Sequence, residues 1–287
     1  MNVLISSLFR HILIRCFWII NFCYFRVVER IENTHFDEIN SLLIKPGKTC
    51  QNLIVTGGDD AIINVYDKRL IGSEGGCQPV GKFFGHNSGI TSVDITNWGR
   101  YIASNGKDQW VKLWDIRKML PPSKYEKAKR RWIVYDYRLT KFDTSKAFIH
   151  ENDNSLFTFT GHTTHLTQIS CSFSPQSWTG ERFIAWGSFC GCTNIYDTQS
   201  GEKVSNLKPN TKNITKIPLW HPKQRKLIST SENKFHVFWY DSKKSSLFEC
   251  MSKKENLDKR IIKNYKKFHK QHKKSANNDQ FLFSKIH

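Results

Sequence analysis

Two stretches of this chain end in an aspartate followed two residues later by an arginine: Tyr66-Asp-Lys-Arg69 and Trp114-Asp-Ile-Arg117. The chemistry open to such a pair is recognition rather than bond cleavage. A guanidinium holds its N–H donors in a rigid fork that matches a carboxylate, and arginine is enriched among the residues that dominate protein interfaces. An arginine just past a strand end projects from the edge of its sheet. The competing use is an internal salt bridge to its own aspartate or to the neighbouring blade. No set of residues points to catalysis. Gly57-Gly58-Asp59 and Gly72 to Gly76 fit turns, where glycine supplies unusual backbone angles, and no Gly-rich loop could cradle a phosphate. Cys190-Gly-Cys192 has neither the usual zinc spacing nor the usual redox spacing, and reads as small residues in a strand pair. No catalytic residue, metal ligand or cofactor is therefore assigned.

The elements that must position these arginines repeat. Ile54 to Arg69 and Ile102 to Arg117 both read as strand, tight turn containing Asp, strand, then an aromatic-Asp pair. Aligned on those endings, the chain shows four units, starting at Thr34-His35, Gly85-His86, Gly161-His162 and Ile214. Each holds three short apolar or alternating runs separated by turn residues, the pattern of strands. Segments such as Val80 to Phe84 and Leu156 to Phe159 supply a fourth strand. Four strands per unit of roughly 40–45 residues, with Gly-His and Trp-Asp landmarks, describe WD-repeat blades. The predicted fold is all-β: a WD-repeat propeller with four recognisable blades of a seven-bladed parent, hence a partial ring.

The landmarks predict a buried polar network, since buried polar groups need partners. In unit two, Asp108 accepts from the His86 ring, Ser104 bridges, and the Trp114 ring N–H donates. His35, Thr56 and Asp60 can build the same network in unit one, with Tyr66 for Trp. Unit three cannot, because Trp186 and Cys190 stand at the Ser and Asp positions. Unit four keeps Ser229 and Trp239, with Asn210 and Asn233 for His and Asp.

The 287 residues divide into an apolar leader (1–29), a propeller (30–250) and a basic tail (251–287) that reads as disordered or a lone helix. In the leader, Arg10, His11 and Arg15 interrupt the apolar run, which argues against a spanning helix and against a signal peptide. The eight cysteines are scattered and fit a reducing intracellular compartment. A basic insert at 118–155 mixes Lys127, Lys129, Arg130 and Arg131 with Trp132, Tyr135 and Tyr137. Such a mixture suits a protein-binding loop, or single-stranded nucleic acid as a weaker alternative. Asp136-Tyr-Arg138 imitates the Asp-x-Arg ending but follows no repeat strand, and reads as a decoy. The formal charge of +19 allows nucleic acid or an acidic partner, and the basic clusters of the tail suit nuclear import.

The tandem Asp-x-Arg endings resemble the paired boxes of the WD-repeat substrate receptors of cullin-4 ubiquitin ligases. Thr56-Gly-Gly-Asp-Asp-Ala-Ile62, Lys112-Leu-Trp-Asp-Ile-Arg117, Phe173-Ser-Pro-Gln-Ser-Trp-Thr-Gly180 and Leu219-Trp-His-Pro222 resemble one branch of that family. The resemblance covers roughly residues 30–241. It implies a seven-bladed, non-catalytic propeller that docks on the ligase adaptor, damaged-DNA-binding protein 1, and recruits a protein substrate for ubiquitination, in nucleus and cytoplasm. It implies that Arg69 and Arg117 contact the adaptor and that Asp67 and Asp115 orient them. The alternative is a general WD-repeat scaffold of another complex.

Overall fold

The short apolar runs read as strands form antiparallel sheets, and those of the inner strands, such as residues 54–58 and Val111–Asp115, are buried on both faces. A computed structural model describes residues 2–5, 17–21, 26–31, 34–44, 52–71, 78–125, 132–134, 136, 138–165, 167–208, 213–231, 235–240 and 248–250. They belong to one compact unit spanning Met1–Ser7 and His11–Met251. Strands β1 (Asn2–Ile5), β2 (Phe17–Asn21) and β3 (Arg26–Ile31) pair in a three-stranded antiparallel sheet. The leader thus carries strands, and its expected boundary at residue 29 falls inside β3.

Four four-stranded meanders follow. The first blade is β4 (Ile39–Leu43), β5 (Leu53–Gly58), β6 (Ile63–Asp67) and β7 (Gly81–Phe83). The second is β8 (Ile90–Ile95), β9 (Tyr101–Gly106), β10 (Val111–Asp115) and β11 (Phe157–Phe159). The third is β12 (Cys171–Phe173), β13 (Phe183–Trp186), β14 (Thr193–Asp197) and β15 (Lys203–Leu207). The fourth is β16 (Ile217–Trp220), β17 (Lys226–Thr230), β18 (Phe235–Tyr240) and β19 (Phe248–Cys250). Between β12 and β13, Gln176–Thr179 form one helical turn, α1, closed by Gly180 in the left-handed region (φ 63°). Among the described residues, no helix is long and apolar enough to cross a membrane.

The core lies between blades rather than inside them. Ile63, Val65 and Phe83 of the first blade pack on Ile90, Val93, Ile102 and Trp114 of the second. Val111, Leu113 and Phe159 of the second pack on Phe173, Ile184 and Trp186 of the third. Phe183, Ala185 and Ile195 of the third pack on Leu227 and Phe238 of the fourth. Because strand side chains alternate between faces, Leu113 and Trp114 serve two different interfaces.

Register corrects one assignment. β17 and β18 set Leu227 opposite Phe238 and Lys226 opposite Trp239, just as β9 and β10 set Ile102 opposite Trp114 and Tyr101 opposite Asp115. The fully buried Phe238 therefore holds the aromatic position, and Trp239 stands where the other blades place aspartate. Asn210 and Asn233 lie outside the described residues. Gly57 and Gly58 also differ from expectation. They end β5, and the left-handed backbone of the turn falls on Ala61 instead (φ 61°). A Cβ on Gly58 would collide with the His35–Asp60 pair, so space, not backbone freedom, requires glycine there.

The insert separates β10 from β11, as expected, and it is strapped down. Leu120 exchanges backbone hydrogen bonds with Lys82 of β7 (2.8 and 3.0 Å), and the Ile133 N–H donates to the Asn87 carbonyl (2.6 Å). The Tyr125 hydroxyl donates to the Pro79 carbonyl (3.0 Å). At its far end Asp153 accepts from Lys112 Nζ (2.6 Å), which also donates to Thr158 (2.7 Å). The Lys112 side chain is only 2% exposed. Burial pushes the Asp153 carboxyl up, but the Lys112 ammonium and the Ser155 donors together outweigh it and hold the group below its ordinary value. Lys127, Lys129, Arg130, Arg131, Tyr135 and Tyr137 lie outside the described residues. Removing one partner of a buried pair strands the other charge, so Asp153→Ala is expected to cost about 3 kcal/mol in thermal unfolding. Adding Lys112→Met should recover much of that loss, and equal loss in both variants would show that the pair is not the source.

Candidate functional site

The four landmark side chains of the second blade meet in a dry interior. His86 Nδ1 lies 3.0 Å from Asp108 Oδ2, and His86 Nε2 lies 2.7 Å from Ser104 Oγ. The Trp114 ring N–H donates to the same Oγ (2.8 Å). A carboxylate only accepts, so His86 Nδ1 is the donor to Asp108, and in the neutral ring Nε2 then accepts from the Ser104 hydroxyl. The remaining lone pairs of Asp108 accept from the backbone of Asn87 (2.7 Å) and Trp110 (3.1 Å). Every element of the blade end is thereby tied to one carboxylate.

In the first blade, His35 Nδ1 meets Asp60 Oδ1 (2.9 Å) and His35 Nε2 meets Thr56 Oγ1 (2.7 Å). Tyr66 fills the Trp position but not its role: its hydroxyl donates to the Thr34 carbonyl at 3.4 Å. Trp186 occupies the Ser position of the third blade, and His162 turns instead to Asn105 Oδ1 of the second blade (2.8 Å), with Trp186 edge-on to its ring. Burial then pushes the His162 imidazole down to about 4, with the nearby His86 opposing protonation and Asp108 favouring it. Ser229 in the fourth blade is fully buried with no hydrogen-bond partner among the described residues.

The opposite end of the same sheets carries the arginines. After β6, Asp67 caps a single 3₁₀ turn, accepting from the Arg69 backbone N–H (2.9 Å), from Arg69 Nε (3.0 Å) and from Nη2 (2.6 Å). After β10, Asp115 repeats this with Arg117: backbone N–H 3.1 Å, Nε 3.0 Å, Nη2 2.6 Å. The two guanidinium side chains stay 71% and 65% exposed. Each latch uses the Nε–Nη2 edge. The Nη1 donors and the second Nη2 proton remain as an outward fork. The expected internal salt bridge and the expected outward arginine are therefore the same structure. The side-chain bond from each arginine holds the Asp67 and Asp115 carboxyls below the ordinary range.

Two comparisons within the chain limit what the latch means. Asp136-Tyr-Arg138 is no mere imitation: Arg138 Nε (2.8 Å) and Nη2 (2.8 Å) grip Asp136 identically, which holds that carboxyl down at about 2. The fork is a local property of Asp-x-Arg, and only its place at a blade end distinguishes the first two. In the third blade Asp197 is followed by Thr198-Gln199, and Arg182 from the start of β13 grips it instead (Nε, 2.7 Å). Arg100, the equivalent of Arg182, approaches Asp115 at 3.7 Å. Beside it opens a cleft of about 790 Å³ between the second and third blades, walled by Trp98, Tyr101, Leu156, Phe157, Arg100 and Arg182.

Contacts that join the blades went unnoticed in the sequence. Lys107 Nζ meets Asp59 Oδ1 at 2.6 Å across the first interface. The residue before the network aspartate is Asp in one repeat and Lys in the next, so aligning the repeats could have revealed this pair. Among the described residues, no group of three or more His, Cys, Asp or Glu is placed to hold a metal.

Sheets packed face to face around buried His–Asp networks define a WD-repeat β-propeller protein. The WD domain, G-beta repeat family matches residues 77–115, the last strand of one blade and most of the next. Over 217 residues, 75% of this chain, the sequence is 35% identical to a DDB1- and CUL4-associated factor 11 homolog of Caenorhabditis elegans. Over 181 residues, 63% of the chain, it is 39% identical to a LEC14B homolog of Prunus armeniaca. The chain spans 37% of the length of each of these relatives. A chain in the crystal structure of a mitotic checkpoint complex matches 83% of this chain, and 57% of its own length, with a TM-score of 0.58 at 17% identity, a likeness of fold. The chain is a WD-repeat protein similar to DDB1- and CUL4-associated factor 11.

Two outcomes test the geometry. Ser104→Ala removes the bridge between His86 and Trp114 and is expected to cost about 2 kcal/mol, whereas Ser229→Ala removes an unpaired hydroxyl and should be neutral or stabilising by up to ~1 kcal/mol in chemical denaturation. Because the folded-state values of Asp67 and Asp115 are depressed, each latch is complete above the ordinary aspartate value and is lost as pH falls through the lowered one. Carboxyl carbon NMR should show both groups titrating low, with Asp67 returning to normal in Arg69→Ala and Asp115 rising in Arg117→Ala.

Proposed function

We propose that this chain is a non-catalytic substrate receptor that docks on the adaptor of a cullin-4 ubiquitin ligase, damaged-DNA-binding protein 1, and recruits a protein for ubiquitination. One observation carries the reading: two successive blades present the same pre-ordered arginine fork at the same sheet end. Each side chain is already fixed by its own carboxylate, so little conformational entropy is lost when the outward donors meet a partner's carboxylate or carbonyl. The adjoining cleft, with Trp98 61% exposed and arginines on two sides, extends that surface with apolar area. Similarity to the DDB1- and CUL4-associated factor 11 homolog supports the identity of the adaptor. Nucleus and cytoplasm are the compartments in which we place this activity.

The test is binding of purified adaptor to the full chain beside two variants. Arg69→Ala with Arg117→Ala is expected to weaken binding about tenfold or more, while folding, read by circular dichroism, is retained. Arg138→Ala removes the same fork from the insert and should leave affinity unchanged. Equal binding by all three proteins would place the interface elsewhere, and absence of binding by folded wild type would reject the receptor reading.

A further inference from the structure

Cys190 and Cys192 do not sit in a strand pair, as their small size suggested. They occupy the exposed turn between β13 and β14, at the sheet end opposite the arginine latches. The Gly191 N–H closes that turn on the Ser188 carbonyl (3.0 Å), and Gly191 takes the left-handed backbone (φ 84°) that glycine favours. The Gly191 carbonyl is anchored by the Thr215 hydroxyl of the neighbouring segment (2.7 Å). Cys190 is exposed and Cys192 half-buried, and the Cys190 thiol donates to Ser188 Oγ (3.2 Å). Cys192 follows two residues later on the same turn.

We propose that this turn is a peroxide-reactive dithiol in which Cys190 is the attacking sulfur and Cys192 the resolving one. The reactive form of cysteine is the thiolate, and hydrogen-bond donors around an accessible sulfur favour it. Burial of part of the turn works against the charge. Once the thiol ionises, the Ser188 hydroxyl that had accepted from it can turn to donate; this and the neighbouring Cys192 outweigh burial, so the Cys190 thiol lies below its ordinary value. Cys192, half-buried beside that sulfur, is pushed up to about 11 and keeps its proton. One thiol is thus poised to attack and its neighbour to wait.

The reaction balances with a peroxide as oxidant. The Cys190 thiolate attacks one peroxide oxygen, the O–O bond breaks, and hydroxide leaves, giving a sulfenic acid. The Cys192 sulfur, losing its proton to the departing hydroxide, attacks the Cys190 sulfur. The S–O bond breaks, and a disulfide forms. Two thiols and one peroxide become one disulfide and two waters.

The tryptic peptide from Phe183 to Lys203 carries both thiols and no other cysteine, so mass spectrometry reads the turn alone. In the folded full chain, dilute hydrogen peroxide should remove two hydrogens from this peptide, reversibly with dithiothreitol. The rate should be about tenfold or more above that of buried Cys171, whose thiol burial pushes up to about 12. Cys192→Ser should trap the sulfenic acid, captured by dimedone at Cys190, and Cys190→Ser should abolish the fast phase. The chain unfolded in urea serves as the second measurement. Equal rates folded and unfolded, or a fast phase that survives Cys190→Ser, would overturn the proposal.

Discussion

The bond from His86 to Asp108 is the interaction on which the second blade depends. Both side chains are at most 1% exposed, so an unpaired aspartate there would strand a charge in a dry interior. The pairing is satisfied only when the loop before β8, the turn after β9 and the indole of β10 converge. Trp114 then lies fixed under Ser104, and the next two residues of the chain are Asp115 and Ile116, where the strand ends. The exposed arginine fork at Arg117 is thus placed by a buried hydrogen bond at the other end of the sheet. The first blade reaches the same outcome with different groups: Thr56 and Asp60 hold His35, and Tyr66 packs the aromatic position with its hydroxyl donating to the Thr34 carbonyl. What the latch needs is β6 held in register, and apolar packing of Ile63 and Val65 supplies that.

Much of this was legible because it is local or periodic. The second repeat names its own partners by spacing, and the Asp-x-Arg fork is closed within three residues. Errors arose where local pattern admits two answers. Phe238-Trp-Tyr240 offers several aromatics for one position, and only pairing with β17 decides that Phe238 faces the core. Gly58 suggests a turn, yet its function is to leave room for a histidine that precedes it by 23 residues. Other features were illegible because they join distant segments. Nothing in Lys112 alone announces that it will be buried against Asp153 from the far end of an insert. Nor does Leu120 announce that it will pair with Lys82.

Asp136–Arg138 shows why a motif is not a site. Its geometry equals that of the blade-end latches to within a few tenths of an ångström, although it stands in an insert and on no strand. The i, i+2 spacing alone lets Nε and Nη2 reach the carboxylate while the backbone N–H closes the turn. On the proposed reading, the adaptor recognises the spacing between forks rather than any one fork, and that spacing is set by how blades stack. The Asp59–Lys107 bridge and the shared apolar interface between the first two blades hold that spacing.

The two ends of the sheets are chemically distinct. One end carries guanidinium forks pre-ordered by carboxylates, chemistry that is unaffected by redox state and changes only in acid. The other end carries the turns that close on the histidine networks. The third blade shows the consequence. With Trp186 in place of Ser and Cys190 in place of Asp, the turn no longer has to satisfy a buried histidine, and His162 finds Asn105 instead. The aspartate position is released from the interior and exposed to solvent, and a thiol there gains access that the equivalent Asp60 and Asp108 never have. Loss of the repeat's structural duty at one blade is what leaves that turn open to other chemistry.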